Sequence, residues 1–210
     1  MDWNKIITAV FSGDIAGTPL LVKEAVAEGI TPEEILENGL IAGMSLVGDK
    51  FKINEIFVPE VLIAAKAMHA GLDILEPLLA QRGIKPKGKI IIGTVKGDLH
   101  DIGKNLVSMM LKGAGFFVVD LGIDVDSKRF IDEAIKNNAR IIAMSSLLTT
   151  SMPSMKNTIN LLKKQGLSGK IKTVIGGAPV TQNYADEIEA DGYADNASSA
   201  VDKVRELLAL

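Results

Sequence analysis

A strand-to-helix transition is encoded by the residues Gly97-Asp98-Leu99-His100-Asp101-Ile102-Gly103-Lys104-Asn105. The apolar run 89–95 precedes them, and its length and β-branched content are typical of a buried parallel strand. Residues 106–112 follow with the apolar spacing of a helix. We therefore expect His100 to lie in a loop at the carboxyl end of a strand, where open α/β sheets bind their ligands.

His100 is a candidate metal ligand. It is one of two histidines in the 210 residues, and Asp98 lies two residues before it. A carboxylate that holds one ring nitrogen of a histidine fixes the tautomer and makes the other nitrogen more basic. Gly97 and Gly103 would let the backbone approach a large flat ligand. One interpretation is a metal-binding imidazole oriented by a carboxylate; the alternative is a polar loop histidine that caps the next helix.

The amino-acid composition indicates a folded protein and narrows its partners. The chain is 47% hydrophobic, which is enough to bury a sizeable core. The net charge of −3 comes from interspersed signs, whereas a nucleic-acid-binding protein needs a clustered basic surface. No segment approaches the roughly 20 apolar residues of a membrane span, and the first residues do not begin a signal peptide. We therefore expect a cytoplasmic protein without nucleic-acid or membrane partners.

The absence of cysteine restricts the metal and redox chemistry. It excludes disulfides, thiolate nucleophiles, iron–sulfur clusters and thiolate-bound zinc. Because the chain has two histidines, a zinc site made only of protein ligands would have to be mostly carboxylate.

The first 80 residues predict four helices with short connections, which form an antiparallel bundle. The helices are expected near 2–11, 14–28, 31–50 and 59–80. The third opens with Thr31 as N-cap, Pro32 at the first helical position and two acids in the first turn. A loop is expected before Pro59, because a proline inside a helix removes a backbone hydrogen bond. The basic stretch 81–89, punctuated by glycine and proline, predicts a linker between domains 1–84 and 85–210.

From residue 89 onward, strand and helix patterns alternate, which predicts a parallel sheet with right-handed crossovers. Strands are expected near 89–95, 116–121, 140–145, 171–176 and 192–195, and helices near 102–113, 127–138, 152–165, 181–190 and 197–209. Five strands suit the flavodoxin-like, doubly wound order 2-1-3-4-5. Its switch point lies between strands 1 and 3, so the ligand crevice should be lined by loops 96–103 and 145–151, with 176–179 beside them.

Two of these loops have unusual compositions. Strand 3 is followed by Ser145-Ser146-Leu147-Leu148-Thr149-Thr150-Ser151, and strand 4 ends in Gly176-Gly177-Ala178-Pro179. Each loop alone could be ordinary, with hydroxyls as helix N-caps and the glycine pair as a turn. Since all three loops converge on one crevice, we favour a ligand site in which glycines make room and hydroxyls bind without charge.

Taken together, Asp98-x-His100-x-x-Gly103, Ser145-x-Leu147 and Gly176-Gly177 resemble the signature of corrinoid-binding domains that hold cobalamin "base-off/His-on". In that family the motif histidine replaces the dimethylbenzimidazole base on cobalt, and the detached nucleotide tail enters the sheet. The segments 48–51 and 57–60 resemble the cap of methionine synthase and of small corrinoid proteins of anaerobic methyltransferase systems. The resemblance implies a four-helix-bundle cap followed by a Rossmann-like B12-binding domain, with cobalamin or a related corrinoid as the cofactor.

The resemblance also implies residue roles around the lower face of the cofactor. His100 would be the axial cobalt ligand, Asp98 its hydrogen-bond partner and Ser151 the third member of this relay. The rest of the corrin-binding loop would be Gly97, Leu99, Asp101, Ile102 and Gly103.

The other implied contacts belong to the nucleotide tail and to the upper face. Ser145, Leu147 and Thr149 would line the tail slot, and Gly176 and Gly177 would give it width. Phe51 and Val58 would cover the upper, methyl-bearing face, although methionine synthase has leucine where Val58 stands. Ordinary bundle core is the alternative for these two side chains.

The implied function is that of a methyl carrier. Its partners would be a substrate-specific methyltransferase, a methylcorrinoid:acceptor methyltransferase that uses tetrahydrofolate or coenzyme M, and a reductive-activation protein. The 210 residues without cysteine hold neither a thiolate zinc site nor a substrate barrel, so we expect a non-catalytic corrinoid subunit. Methanol, a methylamine, glycine betaine and an aryl methyl ether all stay open as methyl donors.

Three other functions were compatible with parts of the pattern. A cobalamin-dependent sensor or regulatory module is the main alternative. Light-responsive repressors that bind adenosylcobalamin are of this kind, but they add a DNA-binding domain, and the chain has no basic face for one. A mutase subunit would usually lack the helical cap. A nucleotide or flavin binder is the weakest alternative, because Gly93-x-x-x-Gly97-Asp98 lacks the lysine of a P-loop.

Overall fold

The structure, a computed structural model, describes residues 2–83 and 86–210. The chain divides into two compact units: Met1–Pro86 with Lys112–Gly115, and Lys87–Leu111 with Phe116–Leu210. The predicted boundary between residues 84 and 85 lies outside the described residues and stays a prediction.

The first unit is the predicted helical bundle. Its helices are α1 (Trp3–Phe11), α2 (Gly17–Ala27), α3 (Pro32–Ile35), α4 (Ala42–Lys52) and α5 (Val58–Gln81), and a π-helical segment, Leu36–Ile41, joins α3 to α4. The helix predicted at 31–50 is therefore one helical run with a π segment that the sequence pattern did not indicate. Its start is as predicted, because the Thr31 hydroxyl accepts the Glu34 N–H while the Glu34 carboxylate accepts the Thr31 N–H.

One helix boundary in the first unit differs from the sequence pattern, and the long final helix is close to its prediction. The second helix begins at Gly17 rather than near Asp14, because the Asp14 carboxylate accepts the Gly17 N–H at 2.7 Å and so caps the helix from outside. The long helix α5 continues through Pro77 to Gln81. In the part of the chain that the structure describes, no helix is both long and apolar enough to cross a membrane.

The second unit is the predicted α/β domain. Its strands are β1 (Lys89–Thr94), β2 (Phe117–Asp120), β3 (Ile141–Ser145), β4 (Lys172–Gly176) and β5 (Gly192–Ala194), and its helices are α6 (Ile102–Gly113), α7 (Ser127–Asn137), α8 (Pro153–Lys164), α9 (Gln182–Glu187) and α10 (Ala197–Leu208). The strands form one parallel sheet in the order 2-1-3-4-5, which confirms the predicted topology.

The core of this unit explains the strand pattern. β1 and β3 are central, and almost every side chain in them is buried, as expected for a sheet covered on both faces. Ile91 pairs with Val119 on one side and with Ile142 on the other. Phe130 of α7 and Met155 of α8 belong to the same buried cluster as Ile91 and Ile142.

The strand register determines where the site forms. Thr94 at the end of β1 pairs with Ser145 at the end of β3, and Ser145 pairs with Gly176 at the end of β4. Since these three strands end at the same level, the loops that follow them emerge side by side.

Candidate functional site

Backbone hydrogen bonds hold the loops of the second unit together just beyond the strand ends. The Val95 N–H donates to the Ser145 carbonyl at 3.0 Å, and the Ser146 N–H donates to the Gly176 carbonyl at 3.1 Å. On the other side of β1, the Val125 N–H donates to the Thr94 carbonyl at 3.0 Å. The loops after β1, β2, β3 and β4 therefore form one connected surface.

Asp98 lies completely buried beneath this surface, where the loops after β1 and β3 meet. Its Oδ1 accepts hydrogen bonds from the His100 N–H at 3.0 Å and from the His100 Nδ1 at 2.7 Å. Its Oδ2 accepts hydrogen bonds from the Leu147 N–H at 2.6 Å, the Leu148 N–H at 3.2 Å and the Ser151 hydroxyl at 3.2 Å. The carboxylate thus links the loop after β1 to the loop after β3.

These hydrogen bonds determine the charge of Asp98. Burial raises the pKa of the Asp98 carboxyl, but the backbone N–H groups of His100 and Leu147 and the side chains of His100 and Ser151 outweigh burial and lower the pKa to about 2. Asp98 is therefore a carboxylate at neutral pH.

His100 presents one ring nitrogen to Asp98 and leaves the other for a ligand. With Nδ1 at 2.7 Å from Asp98 Oδ1, Nε2 is the nitrogen on the far side of the ring. The side chain is 53% exposed, in contrast to its buried partner. The His100 carbonyl accepts a hydrogen bond from the buried Thr94 hydroxyl at 2.7 Å, which ties the histidine backbone to the end of β1. Asp98 can therefore orient the ring while Nε2 binds a metal ion.

Two buried serines lie behind Asp98. The Ser151 Oγ is 3.2 Å from Asp98 Oδ2 and 2.7 Å from the Ser146 Oγ. The structure thus brings Asp98, His100 and Ser151 together, and it adds Ser146, which sequence reasoning missed. A period-two pattern places neighbouring residues on opposite sides of a strand, but Ser146 lies just past β3, where that pattern no longer applies.

A second residue missed by sequence reasoning is Asp124, in the loop after β2. Its carboxylate accepts the Gly97 N–H at 2.8 Å, and its own N–H donates to the Asp98 carbonyl at 3.1 Å. Gly97 has φ +87, a left-handed conformation that glycine adopts without strain. β2 is the sheet neighbour of β1, so the topology could have indicated that this loop approaches the motif.

Apolar side chains around His100 are exposed to an unusual degree. Leu99 is 69% exposed and Ile102 is 78% exposed, and Leu147 and Leu148 on the neighbouring loop are also exposed. Exposed apolar groups that cluster beside polar groups mark ligand or partner surfaces. The cluster suits a large ring with apolar edges.

Gly97 has a left-handed backbone conformation that favours glycine, whereas Gly103 does not. A Cβ on Gly103 would meet nothing within 4 Å among the described residues, and its φ is not in the left-handed region. The fold therefore does not require glycine at position 103. The missing side chain leaves open space beside the first turn of α6. Asp101, just before this helix, is exposed and accepts a hydrogen bond from the Asn105 amide at 3.0 Å.

The predicted tail-slot residues are close to the relay in the structure. Ser145 is partly buried at the end of β3, whereas Leu147 and Thr149 are exposed in the loop. A Cβ on Gly176 would lie 2.8 Å from the Ala194 carbonyl oxygen, and one on Gly177 would lie 1.8 Å from the Ser146 carbonyl oxygen. In this structure the glycine pair allows neighbouring backbones to approach, and its role in a tail slot stays a prediction.

Phe51 and Val58 belong to the first unit. Phe51 lies near the end of α4, Val58 is the first residue of α5, and both are partly buried. Their assignment to the methyl-bearing face stays a prediction.

Comparison with protein families gives the identity of both units. A B12 binding domain profile matches residues 88–202, more than half of the chain, and a second B12 binding domain profile matches residues 3–76. The chain belongs to the B12-binding family. This membership confirms the resemblance drawn from the sequence, and the cofactor is cobalamin or a related corrinoid.

Similar members of the B12-binding family are corrinoid proteins. The chain is 50% identical over 181 residues to dimethylamine corrinoid protein 1 of Methanosarcina acetivorans, covering 86% of this chain and 85% of that protein. It is 46% identical over 187 residues to trimethylamine corrinoid protein 1 of Methanosarcina mazei, covering 88% and 87%. A chain in the methanol:cobalamin methyltransferase complex MtaBC of Methanosarcina barkeri has a TM-score of 0.87 and 29% identity, with 97% of this chain and 78% of that chain covered.

The donor set of this B12-binding protein fits a corrinoid. Within residues 2–83 and 86–210, no group of three or more His, Cys, Asp or Glu side chains is arranged to hold a metal ion. A corrinoid would require no such group, because it brings its own nitrogen ligands to the metal and would need only one imidazole from the protein. His100 offers that imidazole, and Leu99 and Ile102 offer apolar surface beside it.

Proposed function

We propose that this protein is the corrinoid methyl carrier of a methylamine methyltransferase system and that it binds cobalamin base-off, with His100 Nε2 on cobalt. The observation that carries the proposal is the 2.7 Å hydrogen bond between His100 Nδ1 and the buried Asp98, which leaves Nε2 on an exposed ring. The cap would be residues 1–84 and the cobalamin-binding domain residues 85–210.

The relay residues have distinct tasks in this proposal. Asp98 keeps the proton on Nδ1, so that the lone pair on Nε2 is free to bind cobalt. The N–H groups of Leu147 and Leu148 hold Asp98 Oδ2 and thereby fix the carboxylate relative to the sheet. Ser151 hydrogen-bonds the same oxygen and modulates the negative charge that the imidazole experiences.

The bound corrinoid would supply a cobalt that accepts a methyl group from one protein and releases it to another. The donor partner would be a substrate-specific methyltransferase, and the acceptor partner a methylcorrinoid:acceptor methyltransferase that uses tetrahydrofolate or coenzyme M. A reductive-activation protein would reduce the cofactor again after oxidation has inactivated it. A methylamine is the preferred methyl source because the relatives at 46–50% identity are named for dimethylamine and trimethylamine.

The remaining cofactor contacts in the proposal involve the loops beside the relay. Gly97, Leu99, Asp101, Ile102 and Gly103 would contact the corrin ring, and Ser145, Leu147, Thr149, Gly176 and Gly177 would contact the nucleotide tail. The support is the register of β1, β3 and β4, which brings these loops to one level.

Reconstitution and methyl transfer test this function. The protein is loaded with hydroxocobalamin, the stoichiometry is measured, and the cobalt is reduced. Monomethylamine, dimethylamine, trimethylamine or methanol is then added, each with the methyltransferase for that substrate. We expect one cobalamin per chain and a spectral change to the methylated cofactor with one of the amines. Stoichiometric binding without methylation by any of the methyltransferases would contradict the carrier function and favour the sensor alternative.

Gly103→Leu is expected to weaken cobalamin binding without lowering the stability of the apoprotein. The Cβ points into open space, so the free energy of unfolding of the apoprotein should stay at or slightly above the wild-type value. The added side chain should occupy the space in front of α6 and weaken cobalamin binding roughly tenfold or more. Gly169→Leu is the matched control, because Gly169 is also open and lies in a turn before β4. Equal cobalamin affinities in the two variants would remove Gly103 from the site.

Phe51→Ala is expected to speed photolysis of the protein loaded with methylcobalamin. A side chain over the methyl group would hold the light-generated radical pair together, and its removal would let the methyl radical escape. Phe11→Ala is the matched control, because Phe11 is a partly buried phenylalanine of the same unit that lies outside the segments 48–51 and 57–60. If both variants photolyse at the wild-type rate, then Phe51 belongs to the bundle core.

A further inference from the structure

The two buried hydroxyls behind Asp98 share a single carbonyl acceptor. Ser146 is completely buried and Ser151 nearly so, and their Oγ atoms are 2.7 Å apart. The Leu148 carbonyl oxygen is 3.0 Å from the Ser146 Oγ and 2.9 Å from the Ser151 Oγ. Ser151 alone also reaches Asp98 Oδ2, at 3.2 Å.

Each serine has one proton to donate, so these contacts form alternative sets. In one set Ser146 donates to Ser151, and Ser151 donates to Asp98. In the other set Ser151 donates to Ser146, Ser146 donates to the Leu148 carbonyl, and Asp98 receives no hydroxyl proton. In a third set Ser146 donates to Ser151, Ser151 donates to the Leu148 carbonyl, and Asp98 again receives no hydroxyl proton. The sets differ only by rotation of the two hydroxyl groups.

The distances show which acceptor holds Ser151 more closely. A hydroxyl that donates fully to a carboxylate lies about 2.5–2.7 Å from the oxygen. The Ser151–Asp98 distance of 3.2 Å is longer than that, whereas the Ser151–Ser146 distance of 2.7 Å is that of a good hydroxyl pair. The Ser146 hydroxyl, at 2.7 Å, and the Leu148 carbonyl, at 2.9 Å, are therefore both closer to the Ser151 Oγ than Asp98 is.

We propose that Ser146 is a positioning residue that competes with Asp98 for the Ser151 hydroxyl and thereby strengthens the bond between His100 and cobalt. The inference rests on the proposed function, because it requires His100 as axial ligand. A hydroxyl proton on Oδ2 withdraws negative charge from Oδ1, which is the oxygen that faces His100 Nδ1. When Ser146 engages Ser151, Oδ1 keeps more charge and the imidazole becomes a better electron donor.

Ser146→Ala is the first test. Without the competing hydroxyl, the Ser151 proton is shared only between the Leu148 carbonyl and Asp98, so Asp98 should receive it more often. Axial binding of His100 to Co(II) should then weaken about two- to fivefold, the effect of part of one hydrogen bond. Because Co(I) rejects axial ligands, the Co(II)/Co(I) midpoint potential should become about 20–40 mV more positive, at 59 mV per tenfold change. Ser151→Ala should shift the potential in the opposite direction, since Asp98 then loses the donor altogether.

The controls separate this role from packing. Ser108→Ala removes another buried serine hydroxyl of the same domain, in α6, and should leave the potential at the wild-type value. In a Ser151→Ala background, adding Ser146→Ala should cause no further shift, because Ser146 acts through Ser151. Ser146→Cys replaces the hydroxyl with a slightly larger thiol that hydrogen-bonds weakly, so it should shift the potential positively even if the alanine variant does not fold.

Different outcomes would contradict the positioning role of Ser146 and the proposed binding of His100 to cobalt. If the wild-type Co(II) spectrum shows a protein imidazole and Ser146→Ala or Ser146→Cys leaves the potential unchanged, the positioning role of Ser146 is wrong while the carrier proposal stands. A shift that persists undiminished in the Ser151→Ala background would also overturn it. If the wild-type protein shows no axial imidazole, the His-on assignment fails and the inference fails with it.

Discussion

Asp98→Asn is expected to lower the free energy of unfolding of the apoprotein by about 3 kcal/mol at pH 7, as measured by urea denaturation. The carboxylate is completely buried and accepts hydrogen bonds at both oxygens from His100, Leu147, Leu148 and Ser151. An asparagine amide nitrogen would face N–H donors on one side, so buried donors would be left unpaired. The same change should weaken axial binding by His100, because a neutral amide no longer raises the basicity of the ring.

Asp101→Asn provides the matched control. Asp101 is an exposed aspartate in the same loop, and its carboxylate accepts a hydrogen bond from the Asn105 amide. Its substitution should leave stability almost unchanged. If Asp98→Asn destabilises no more than Asp101→Asn, then Asp98 does not hold the two loops together.

The pH dependence of the Asp98→Asn effect follows from the sign of the pKa shift. The Asp98 pKa is lowered from 3.8 to about 2 in the folded protein, so the unfolded chain binds its proton first as the pH falls. The stabilising contribution of the carboxylate is therefore complete above about pH 4 and is lost as the pH falls towards 2. The stability difference between wild type and Asp98→Asn should shrink by about 2 kcal/mol over that window. If the stability difference were constant with pH, the hydrogen bonds from the loops would not be stabilising the ionised form of Asp98.

Gly177→Ala is expected to lower the free energy of unfolding by more than about 3 kcal/mol, or to prevent folding. Gly177 has φ +127, and a Cβ there would lie 1.8 Å from the Ser146 carbonyl oxygen. That oxygen belongs to the backbone and cannot rotate away, so the loop after β3 would have to move. The displacement would also disturb Ser146, and through it the serine pair behind Asp98.

Gly166→Ala separates conformational strain from the steric clash. Gly166 also has positive φ, at +67, but a Cβ there would meet nothing within 4 Å. Its substitution should cost only about 1 kcal/mol, the strain of a left-handed alanine. Similar unfolding free energies for the two variants would show that the loops after β3 and β4 can separate freely.

The sheet could be predicted from the sequence because its signals are local. Each central strand is a short run of β-branched residues, such as Ile90-Ile91-Ile92, followed by a turn and a helical pattern. The alternation then restricts the topology to few orders, and the order 2-1-3-4-5 is the one found. The π segment Leu36–Ile41 could not be predicted in this way, because its apolar spacing resembles that of the flanking helix.

The site was only partly predictable because its contacts join residues that are distant in the chain. Asp98 and His100 are neighbours in a recognisable motif, and the resemblance pointed to Ser151. The hydrogen bond from the Gly97 N–H to the Asp124 carboxylate depends on how two loops meet after folding, and the Ser146–Ser151 pair depends on a turn geometry that follows no periodicity. The glycine pair 176–177 allows neighbouring backbones to approach, which the sequence pattern did not indicate, and its predicted role in the tail slot stays a prediction.

In the proposed complex, His100 binds cobalt through Nε2 while Asp98 holds Nδ1. This binding is tested most directly by electron paramagnetic resonance of the cobalamin-loaded protein in the Co(II) state, prepared with natural histidine and with ¹⁵N-labelled histidine. We expect a nitrogen superhyperfine splitting on the cobalt lines that changes from a three-line to a two-line pattern with the label, because ¹⁴N and ¹⁵N differ in nuclear spin. A splitting that is identical in the two samples would show that the axial nitrogen does not come from histidine and would contradict the account.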